Sequence, residues 1–374
     1  MLVRGALNVP VENGKVVNDY RLRRALPTIQ YLRERGAKVI LISHIGEKGT
    51  ETLAPVAAAL AALIPGVSFF PETIGERVRA AIRKLSPGQI LVLENLRRDT
   101  GEQKNEPSFA RELAALADVF VEDSFDTCHR SHASIVGVPK LLPSYAGLLV
   151  EEEVKELSQA LTPKHPALAV ISGAKFSTKE AVISTLMETY DHIFVGGALA
   201  SDFLKVAGQE VGKSLVPADT ANENGIKKLL SSPKLVLPVD SLVIPVSAMD
   251  TTNMRAKGRI APSGQIRPDE VIMDHGPGTM ALLDDLARKA KTILWNGPLG
   301  NYENGFVDAT NAFARFAASS HAHSIVGGGD TIAAIEGLGS LSRFSFVSTG
   351  GGAMLDFLAQ GTLPGIEALE KRGS

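Results

Sequence analysis

The sequence predicts an α/β protein of two doubly wound lobes joined by a helix, and three observations lead to this prediction. Short runs that are apolar throughout recur along the chain, as expected for strands buried on both faces of a parallel sheet. Amphipathic stretches such as 21–36 and 278–290 separate these runs, which is typical of α/β units. About eleven runs are too many for one sheet, and 374 residues are enough for two cores.

The predicted strands divide between the two halves of the chain. In the first half they cover 38–44, 67–71, 90–95 and 119–124. In the second half they cover 167–172, 192–197, 235–240, 271–276, 292–297, 324–329 and 344–352. Between the halves, residues 148–161 predict a helix, with acidic residues in its first turn and prolines after its end. We therefore expect domains at 1–147 and 162–361, with the helix 148–161 between them.

Composition indicates a globular enzyme without a nucleic-acid or membrane partner. Hydrophobic residues make up 44% of the chain and charged residues 21%. Lysine and arginine total 39 against 41 acidic residues, a net charge of −2. Cys128 is the only cysteine, which excludes an intrachain disulfide and fits a reducing compartment. The N-terminus does not resemble a signal peptide, so we expect a cytoplasmic protein.

Glycine clusters follow five predicted strands of the second half. They are SGAK (172–175), GGA (196–198), WNGPLG (295–300), GGGDT (327–331) and STGGG (348–352). Glycine lets backbone N–H groups approach a ligand closely, and such groups at a helix start bind anions. A tight turn would explain any single cluster, but five in one lobe predict a phosphate site.

Two lysines add charge to the first of these clusters. Lys175 and Lys179 are four residues apart, so we expect them on one helix face. Ser177 and Glu180 have capping-box spacing, which predicts a helix start there, with Lys175 in the loop and Lys179 in the first turn. Cations are unfavourable at this end of a helix unless an anion is bound, so the lysines predict phosphate contact rather than a solvated surface.

Two acidic residues complete a predicted nucleotide site. Asp330 follows the glycines of GGGDT and is a candidate Mg²⁺ ligand on a nucleotide phosphate, although it also suits a helix N-cap. Glu303 is a candidate acceptor for ribose hydroxyls. The segment 208–214 lacks the glycine spacing of a P-loop, and no GxGxxG motif follows a strand, so neither of those folds is predicted.

The predicted strands of the first half end in different chemistry. Arginine binds phosphate and carboxylate in a bidentate manner, and several cationic or polar residues at loop positions predict a pocket for a small, multiply anionic substrate. These residues are Asn8, Arg21, His44, Arg97 and Arg130. His129 and His132 have the spacing of a metal pair, but no further ligand pattern supports zinc, and we interpret them as substrate-side or structural.

Taken in order, the motifs closely resemble those of the phosphoglycerate kinase family over essentially the whole chain. The matching segments are SHIG, LENLR, HRSH, SGAK, LPVD, WNGPLG, GGGDT and STGGG. The resemblance implies two Rossmann-like domains that face a cleft and close about a hinge. The N-terminal domain would bind 3-phosphoglycerate or 1,3-bisphosphoglycerate, and the C-terminal domain ATP or ADP with Mg²⁺. It also implies a monomer, a role in glycolysis or gluconeogenesis, and a C-terminal tail, 362–374, that packs on the N-terminal domain.

The resemblance also assigns roles to individual residues. Asn8, Arg21, His44, Arg97 and Arg130 would bind the substrate, while Arg21 and Lys175 would stabilise the transferring phosphoryl group. Asp330 would hold the metal. The nucleotide would contact Gly173, Lys175, Lys179, Gly196, Gly197, Gly297, Gly300, Glu303, Gly328, Gly329, Asp330, Thr331, Gly350 and Gly351.

Four positions depart from the family pattern. Ala6 stands where the pattern has a substrate-side carboxylate, and Glu47 stands where it has an arginine. Asp126 replaces a glycine, and Thr178 replaces an aspartate linked to metal. We therefore expect an active kinase with altered substrate contacts. The alternatives are a nucleotide-binding, non-catalytic relative with a scaffold or regulatory role, and a kinase for a different carboxylated phosphate ester.

Overall fold

The computed structural model describes residues 1–216, 221–249, 251, 253–339 and 341–370. The chain divides into two compact units, Met1–Lys155 with Thr362–Ser374 and Glu156–Gly361. Of the predicted tail 362–374, residues 371–374 lie outside the described part. No helix in these ranges is long and apolar enough to cross a membrane.

The first unit is built on a six-stranded sheet in which every neighbouring pair is parallel. Its strand order is β5-β6-β4-β1-β7-β8, while β2 and β3 form a separate antiparallel pair. The strands are β1 (Leu2–Gly5), β2 (Val11–Glu12), β3 (Lys15–Val16), β4 (Val39–Ile42), β5 (Val67–Phe69), β6 (Ile90–Val92), β7 (Phe120–Asp123) and β8 (Ser144–Ala146).

Helices cover both faces of this sheet, which is why its central strands β1, β4 and β7 are buried at every position. Val3 and Leu41 belong to one buried cluster, whereas Leu2 and Ile40 belong to another, as expected when successive residues point to opposite faces. The helices are α1 (Tyr20–Glu34), α2 (Ala54–Leu63), α3 (Glu76–Arg83), α4 (Thr100–Gln103), α5 (Pro107–Ala114) and α6 (Leu148–Leu161).

The second unit contains another six-stranded parallel sheet, with the order β11-β10-β9-β15-β16-β17. A smaller antiparallel sheet has the order β13-β12-β14. The strands are β9 (Ala167–Ser172), β10 (His192–Gly196), β11 (Leu235–Val236), β12 (Asp240–Pro245), β13 (Arg259–Pro262), β14 (Glu270–His275), β15 (Thr292–Asn296), β16 (His323–Gly327) and β17 (Phe346–Val347).

Seven helices belong to this unit and an eighth returns to the first. Gly365 of the last helix donates its N–H to the carbonyl of Cys128 at 2.8 Å, so this helix packs within the first unit. The helices are α7 (Glu180–Thr189), α8 (Gly197–Val206), α9 (Ala221–Leu230), α10 (Pro277–Lys289), α11 (Asp308–Ser319), α12 (Gly329–Gly337), α13 (Gly352–Gln360) and α14 (Pro364–Glu370).

The predicted α/β fold with two parallel sheets is confirmed, and the differences are local. The run 271–276 was predicted as a strand of a parallel sheet, which is wrong: it lies in β14, which pairs antiparallel with β12. The run 235–240 is not one strand, because Pro238 falls between β11 and β12 and lacks the N–H that a ladder needs. Strand β1 is not among the predicted runs because Arg4 interrupts its apolar pattern.

The strand order fixes where ligands would bind. In the first sheet, successive connections leave β1 and β7 toward opposite edges, and in the second sheet the same reversal occurs between β9 and β15. Ligands of open α/β sheets bind at the carboxyl ends of strands beside such a reversal. Residues following β1 and β7, and those following β9 and β15, are therefore the candidates for functional sites.

Candidate functional site

Arg4, at the end of β1, organises the buried floor of the first unit's candidate site. Only 1% of Arg4 is exposed. Its Nε donates to Ser134 Oγ at 3.2 Å, and Nη1 donates to Ser43 Oγ and to the carbonyl of Gly5, each at 3.1 Å. Its Nη2 lies 2.9 Å from Nδ1 of His44. These bonds fix the guanidinium beneath the loop that contains His44.

The contact with Arg4 determines which tautomer His44 adopts. A guanidinium only donates hydrogen bonds, so Nδ1 of His44 accepts and the neutral ring has its proton on Nε2. Burial, reinforced by repulsion from Arg4 and Arg97, lowers the pKa of His44 well below its usual range. His44 is therefore a neutral hydrogen-bond donor at physiological pH.

Several further cations share this site, as their mutual repulsion indicates. Burial and then the charges of Arg4 and Arg130 lower the pKa of Arg97. Burial and then Arg97, Arg4 and Arg130 lower the pKa of His132 to about 4. The prediction that His132 is substrate-side or structural thus has a geometric basis, because the ring is close to the arginines. A cluster of like charges at a strand-order reversal is suited to a multiply charged anion.

Buried carboxyl groups balance only part of this charge. Glu102 accepts hydrogen bonds from Ser134 through its N–H at 2.9 Å and its hydroxyl at 2.5 Å. Burial raises the pKa of Glu102 despite the attraction of Arg4, and burial likewise raises the pKa of Glu122 well above its usual range. Raised pKa values reduce the negative charge that the protein itself supplies.

The predicted substrate residues are linked by backbone contacts around Gly46. Asn8 accepts the Gly46 N–H through Oδ1 at 3.2 Å, and Arg97 Nη1 donates to the Gly46 carbonyl at 2.7 Å. Arg21 Nη1 donates to the Asn8 carbonyl at 2.9 Å. Arg130 is exposed but acts electrostatically on Arg97. Asn8, Arg21, His44, Arg97 and Arg130 therefore belong to one site.

Glu47 and Ala6, two of the positions that depart from the family pattern, have different surroundings. Glu47 is exposed, and its charge acts on Arg97 as the smallest of the contributions to the pKa of that residue. Ala6 is completely buried after β1. Solvent thus weakens any repulsion between the Glu47 carboxylate and an anion bound at this site, whereas position 6 offers no charge at all.

In the second unit, Lys179 is the buried charge of the candidate nucleotide site. Only 9% of Lys179 is exposed, and its Nζ donates to Asn296 Oδ1 at 2.6 Å. Asn296 Nδ2 donates to the Gly327 carbonyl at 3.1 Å, which orients the amide oxygen toward the lysine. Burial lowers the pKa of Lys179 to about 8. No carboxylate in the described ranges forms an ion pair with this ammonium group.

The predicted start of the following helix is wrong in detail. The helix begins at Glu180, after a separate 3-10 turn at Phe176–Thr178, and Lys179 occupies its N-cap rather than its first turn. No side-chain capping bond forms there, so the capping box predicted from Ser177 and Glu180 is not present; the neighbouring Thr178 hydroxyl donates to the Lys175 carbonyl at 2.9 Å. Lys175 is exposed while Lys179 is buried, so the two lysines do not share a helix face.

Two glycines bring the backbone of neighbouring strand ends into close contact. Gly297, after β15, has φ +99°, and a Cβ atom there would lie 2.2 Å from the Ser172 carbonyl oxygen. Gly197, after β10, has φ +63°, and its Cβ would lie 2.5 Å from Ser172 Oγ. The Gly297 N–H donates to Thr331 Oγ1 at 2.9 Å. Thr331 is fully buried, so its hydroxyl shapes the glycine loop.

The remaining predicted nucleotide residues lie at the ends of the same sheet or in adjoining loops. Asp330 is exposed in the first turn of α12, and Glu303 is exposed in a 3-10 turn, Tyr302–Asn304. Gly173 follows β9, Gly196 ends β10, and Gly300 packs against Asp274, with a hypothetical Cβ 2.4 Å from Oδ1. The start of α12 contains Gly328 and Gly329, and Gly350 and Gly351 precede α13.

Sequence reasoning missed Arg4, Glu102 and Asn296. An arginine inside an otherwise apolar strand was the available signal for Arg4, since a buried charge requires partners. Asn296 lies in the predicted glycine cluster WNGPLG, but the orientation of its amide depends on the carbonyl of Gly327 in another strand. Glu102 gave no signal, because its partner Ser134 is 32 residues away. Within the described ranges, no group of three or more His, Cys, Asp or Glu residues is arranged to hold a metal ion.

Comparison with known proteins gives one consistent result. The family model for phosphoglycerate kinase matches residues 1–361. The phosphoglycerate kinases of Azorhizobium caulinodans and Thermus thermophilus are 42% and 43% identical, each over 99% of this chain and 96% of the relative. Solved phosphoglycerate kinases from Coxiella burnetii and Pyrococcus horikoshii have TM-scores of 0.84 and 0.86, with 37% and 30% identity. These structures cover 100% and 99% of this chain, and the match spans 96% and 95% of theirs.

Replacement of Gly297 by alanine tests the close approach of the two strand ends. We expect Gly297→Ala to be less stable than a matched variant, Gly208→Ala, by about 1–3 kcal/mol. Both glycines have positive φ, but a Cβ at Gly208 meets no atom within 4 Å, so this control isolates the cost of backbone strain. Urea unfolding measures both variants, and equal losses of stability would contradict the inferred contact.

Replacement of Lys179 tests whether burial of its ammonium group destabilises the ligand-free protein. The pKa shift from 10.5 to about 8 corresponds to a cost on the order of 3 kcal/mol. Losing the bond to Asn296 offsets about 1 kcal/mol of that. We therefore expect Lys179→Met to be more stable than the parent at pH 7, with the exposed replacement Lys228→Met nearly neutral.

The pH dependence gives this prediction its sign. Folding lowers the pKa of Lys179, so its destabilising effect is complete below about pH 8 and disappears as the pH rises toward 10.5. The advantage of Lys179→Met should consequently shrink between pH 7 and pH 9.5 in urea unfolding. An advantage that is absent at pH 7, or that grows with pH, would contradict it.

Proposed function

The chain belongs to the phosphoglycerate kinase family, and we propose that it transfers a phosphoryl group reversibly between 1,3-bisphosphoglycerate and ADP. The products of the forward reaction are 3-phosphoglycerate and ATP. The observation that carries this proposal is that each unit places cationic side chains beside a reversal of strand order. Small phosphorylated substrates would supply the missing negative charge. Nothing in the comparisons favours the non-catalytic alternative.

In the second unit, the nucleotide phosphates would bind at the ends of β9 and β15. The buried ammonium of Lys179 is held by a neutral amide, so a phosphate oxygen would be its charged partner. The glycine loops at 173, 197, 297 and 328 would let backbone N–H groups approach the phosphates. Glu303 is exposed and would accept hydrogen bonds from the ribose hydroxyls. We assign Gly196, Gly300, Gly329, Gly350 and Gly351 to the walls of this site.

In the first unit, the arginine cluster would bind the phosphoglycerate. Arg97 and Arg130 would contact phosphate or carboxylate oxygens, and the neutral His44 would donate its Nε2 proton to one of them. Asn8 would shape the loop through its bond to Gly46. Arg4 lies below the cluster and orients His44, and thus would act on the substrate through that ring.

The chemistry requires no covalent protein intermediate. An oxygen of the terminal ADP phosphate forms the new P–O bond while the bond between phosphorus and the acyl oxygen breaks, and the carboxylate leaves. Such a transfer depends on positioning and on positive charge near the equatorial oxygens of the moving group. Arg21 and the exposed ammonium group of Lys175 would provide that charge. The transfer would proceed directly in line once both substrates meet.

We further propose that Mg²⁺ accompanies the nucleotide and that Asp330 supplies its protein ligand. One exposed carboxylate fits this use, because Mg²⁺ commonly takes one or two carboxylates and completes its shell with phosphate oxygens and water. The metal would neutralise phosphate charge. Thr178, whose hydroxyl donates to the Lys175 carbonyl, would not take part. A cytoplasmic location, a monomeric state and the absence of a nucleic-acid partner stay predictions.

Activity is tested with ATP and 3-phosphoglycerate in a coupled assay. We expect turnover by the parent and a loss of about 10²-fold or more in kcat for Arg21→Ala, since a donor to the transition state is removed. Arg23→Ala is the matched control: Arg23 lies on the same helix, is exposed and pairs with Asp19. Parent turnover no higher than that of Arg21→Ala would refute the proposed activity.

The metal assignment is tested by calorimetry of ADP binding with and without Mg²⁺. The parent should bind ADP more tightly when Mg²⁺ is present. In Asp330→Asn this increase in ADP affinity should be at least about tenfold smaller, because a metal ligand is removed. The exposed Asp269 provides the control Asp269→Asn. An undiminished Mg²⁺ effect in Asp330→Asn would assign the metal to another residue.

A further inference from the structure

We propose that Asp126 is a positioning residue of the small-anion site, whose carboxylate holds Arg21 in the orientation used for phosphoryl transfer. The inference rests on the proposed function and extends it to a residue that the family pattern does not provide. Asp126 acts through Arg21 and does not itself need to touch the substrate.

The fold brings Asp126 to the same sheet edge as the loop after β1. Strands β1 and β7 are parallel neighbours, with Gly5 opposite Asp123. Residues 6–8 and 124–126 therefore leave the sheet side by side, at the reversal of strand order where a ligand is expected. Asp126 lies in a 3-10 turn, Phe125–Thr127, directly after β7.

The two carboxylate oxygens of Asp126 have different partners. Oδ1 accepts a hydrogen bond from the Ser124 hydroxyl at 2.7 Å, which fixes the side chain to its own turn. Oδ2 lies 3.8 Å from Arg21 Nη1. The Asp126 side chain is 5% exposed and that of Arg21 28%, so water screens this pair less than it screens the exposed pairs of α1.

Arg21 needs such a partner because its neighbours repel it. Arg21 is one of three arginines whose charges lower the pKa of His44, so it shares the site with Arg4 and Arg97. Its Nη1 is held on one side by the Asn8 carbonyl at 2.9 Å. The Asp126 carboxylate attracts the guanidinium from the β7 side, and without it the like charges would favour rotamers that point away from the cluster.

Ala6 and Asp126 are complementary in charge. Ala6 is buried after β1 and cannot balance a guanidinium, although the family pattern has a carboxylate there. Asp126 supplies one from the neighbouring strand, where the pattern has glycine. The carboxylate beside Arg21 thus comes from the turn after β7 and not from the end of β1.

A charge-removing replacement gives a signature that a purely structural residue would not give. Asp126→Asn keeps the side-chain shape and an acceptor for Ser124 but loses the charge. We expect kcat to fall about tenfold to a hundredfold, because a displacement of about 1 Å in a catalytic group can lower the rate by about a hundredfold. The KM for 3-phosphoglycerate should stay equal or fall, since a negative charge leaves an anion site, and the KM for ATP should not change.

The experiment is a double-mutant cycle between Asp126→Asn and Arg21→Ala. The control is Asp19→Asn, because Asp19 is the N-cap residue of α1 and pairs with the exposed Arg23. Loss of kcat in the parent background but not in the Arg21→Ala background supports the proposal. Unchanged kcat for Asp126→Asn, or an equal loss in both backgrounds, overturns it.

Folding and basal activity are measured in parallel. If Asp126→Asn does not fold, Asp126→Gly takes its place in the cycle, and failure of both variants to fold overturns the proposal by making Asp126 a stability residue. An inactive parent refutes the proposed function together with this inference. If the parent is active and Asp126→Asn has the same kcat, only the positioning role is refuted.

Discussion

Burial of positive charge beside neutral partners is the constraint on which both candidate sites depend. The ammonium of Lys179 is almost inaccessible to solvent and contacts an amide oxygen, at a cost that its lowered pKa records. That amide is oriented by the Gly327 carbonyl from β16, while Thr331 fixes the adjacent backbone of Gly297. Two strands, β15 and β16, and the starts of two helices, α7 and α12, thus surround this buried charge. Burial of a charge without a charged partner costs free energy, which an anion bound beside Lys179 would offset.

The first unit also contains buried positive charge, and a different set of groups surrounds it. Arg4 lies at the bottom, bonded to hydroxyls and to His44, and the outer arginines gather above the loop at Gly46. His44 avoids adding to the repulsion by remaining neutral, since the same cations that surround it lower its pKa. Burial raises the pKa values of the buried carboxyl groups of Glu102 and Glu122. Asp126, in the turn after β7, places a carboxylate beside Arg21.

The sequence predicted the parallel strands and the sheet-end chemistry because both are local properties. A run such as 167–172 is apolar at every position only when both faces of its strand are buried, and glycine after a strand end signals close backbone approach. The antiparallel β14 escaped this reasoning, because an apolar run does not reveal the direction of the strand beside it, and β14 pairs antiparallel with β12. The helix start was misplaced because Ser177 lies in a separate 3-10 turn, Phe176–Thr178, and the helix begins only at Glu180. Arg4, Asn296 and Glu102 depend on partners that are distant in sequence.

The departures from the family pattern are best understood as pairs of positions rather than as single losses. Read alone, Ala6 removes a carboxylate and Asp126 adds one to a loop that otherwise has glycine. Because β1 and β7 are neighbours at the reversal of strand order, residues 6 and 126 follow adjacent strand ends, and Asp126 lies beside Arg21. Glu47 has no such counterpart, but its exposure to solvent limits its influence on Arg97. A carboxylate at this sheet edge can therefore reach Arg21 from either of two neighbouring strand ends, which is how substrate chemistry could persist when individual motif residues change.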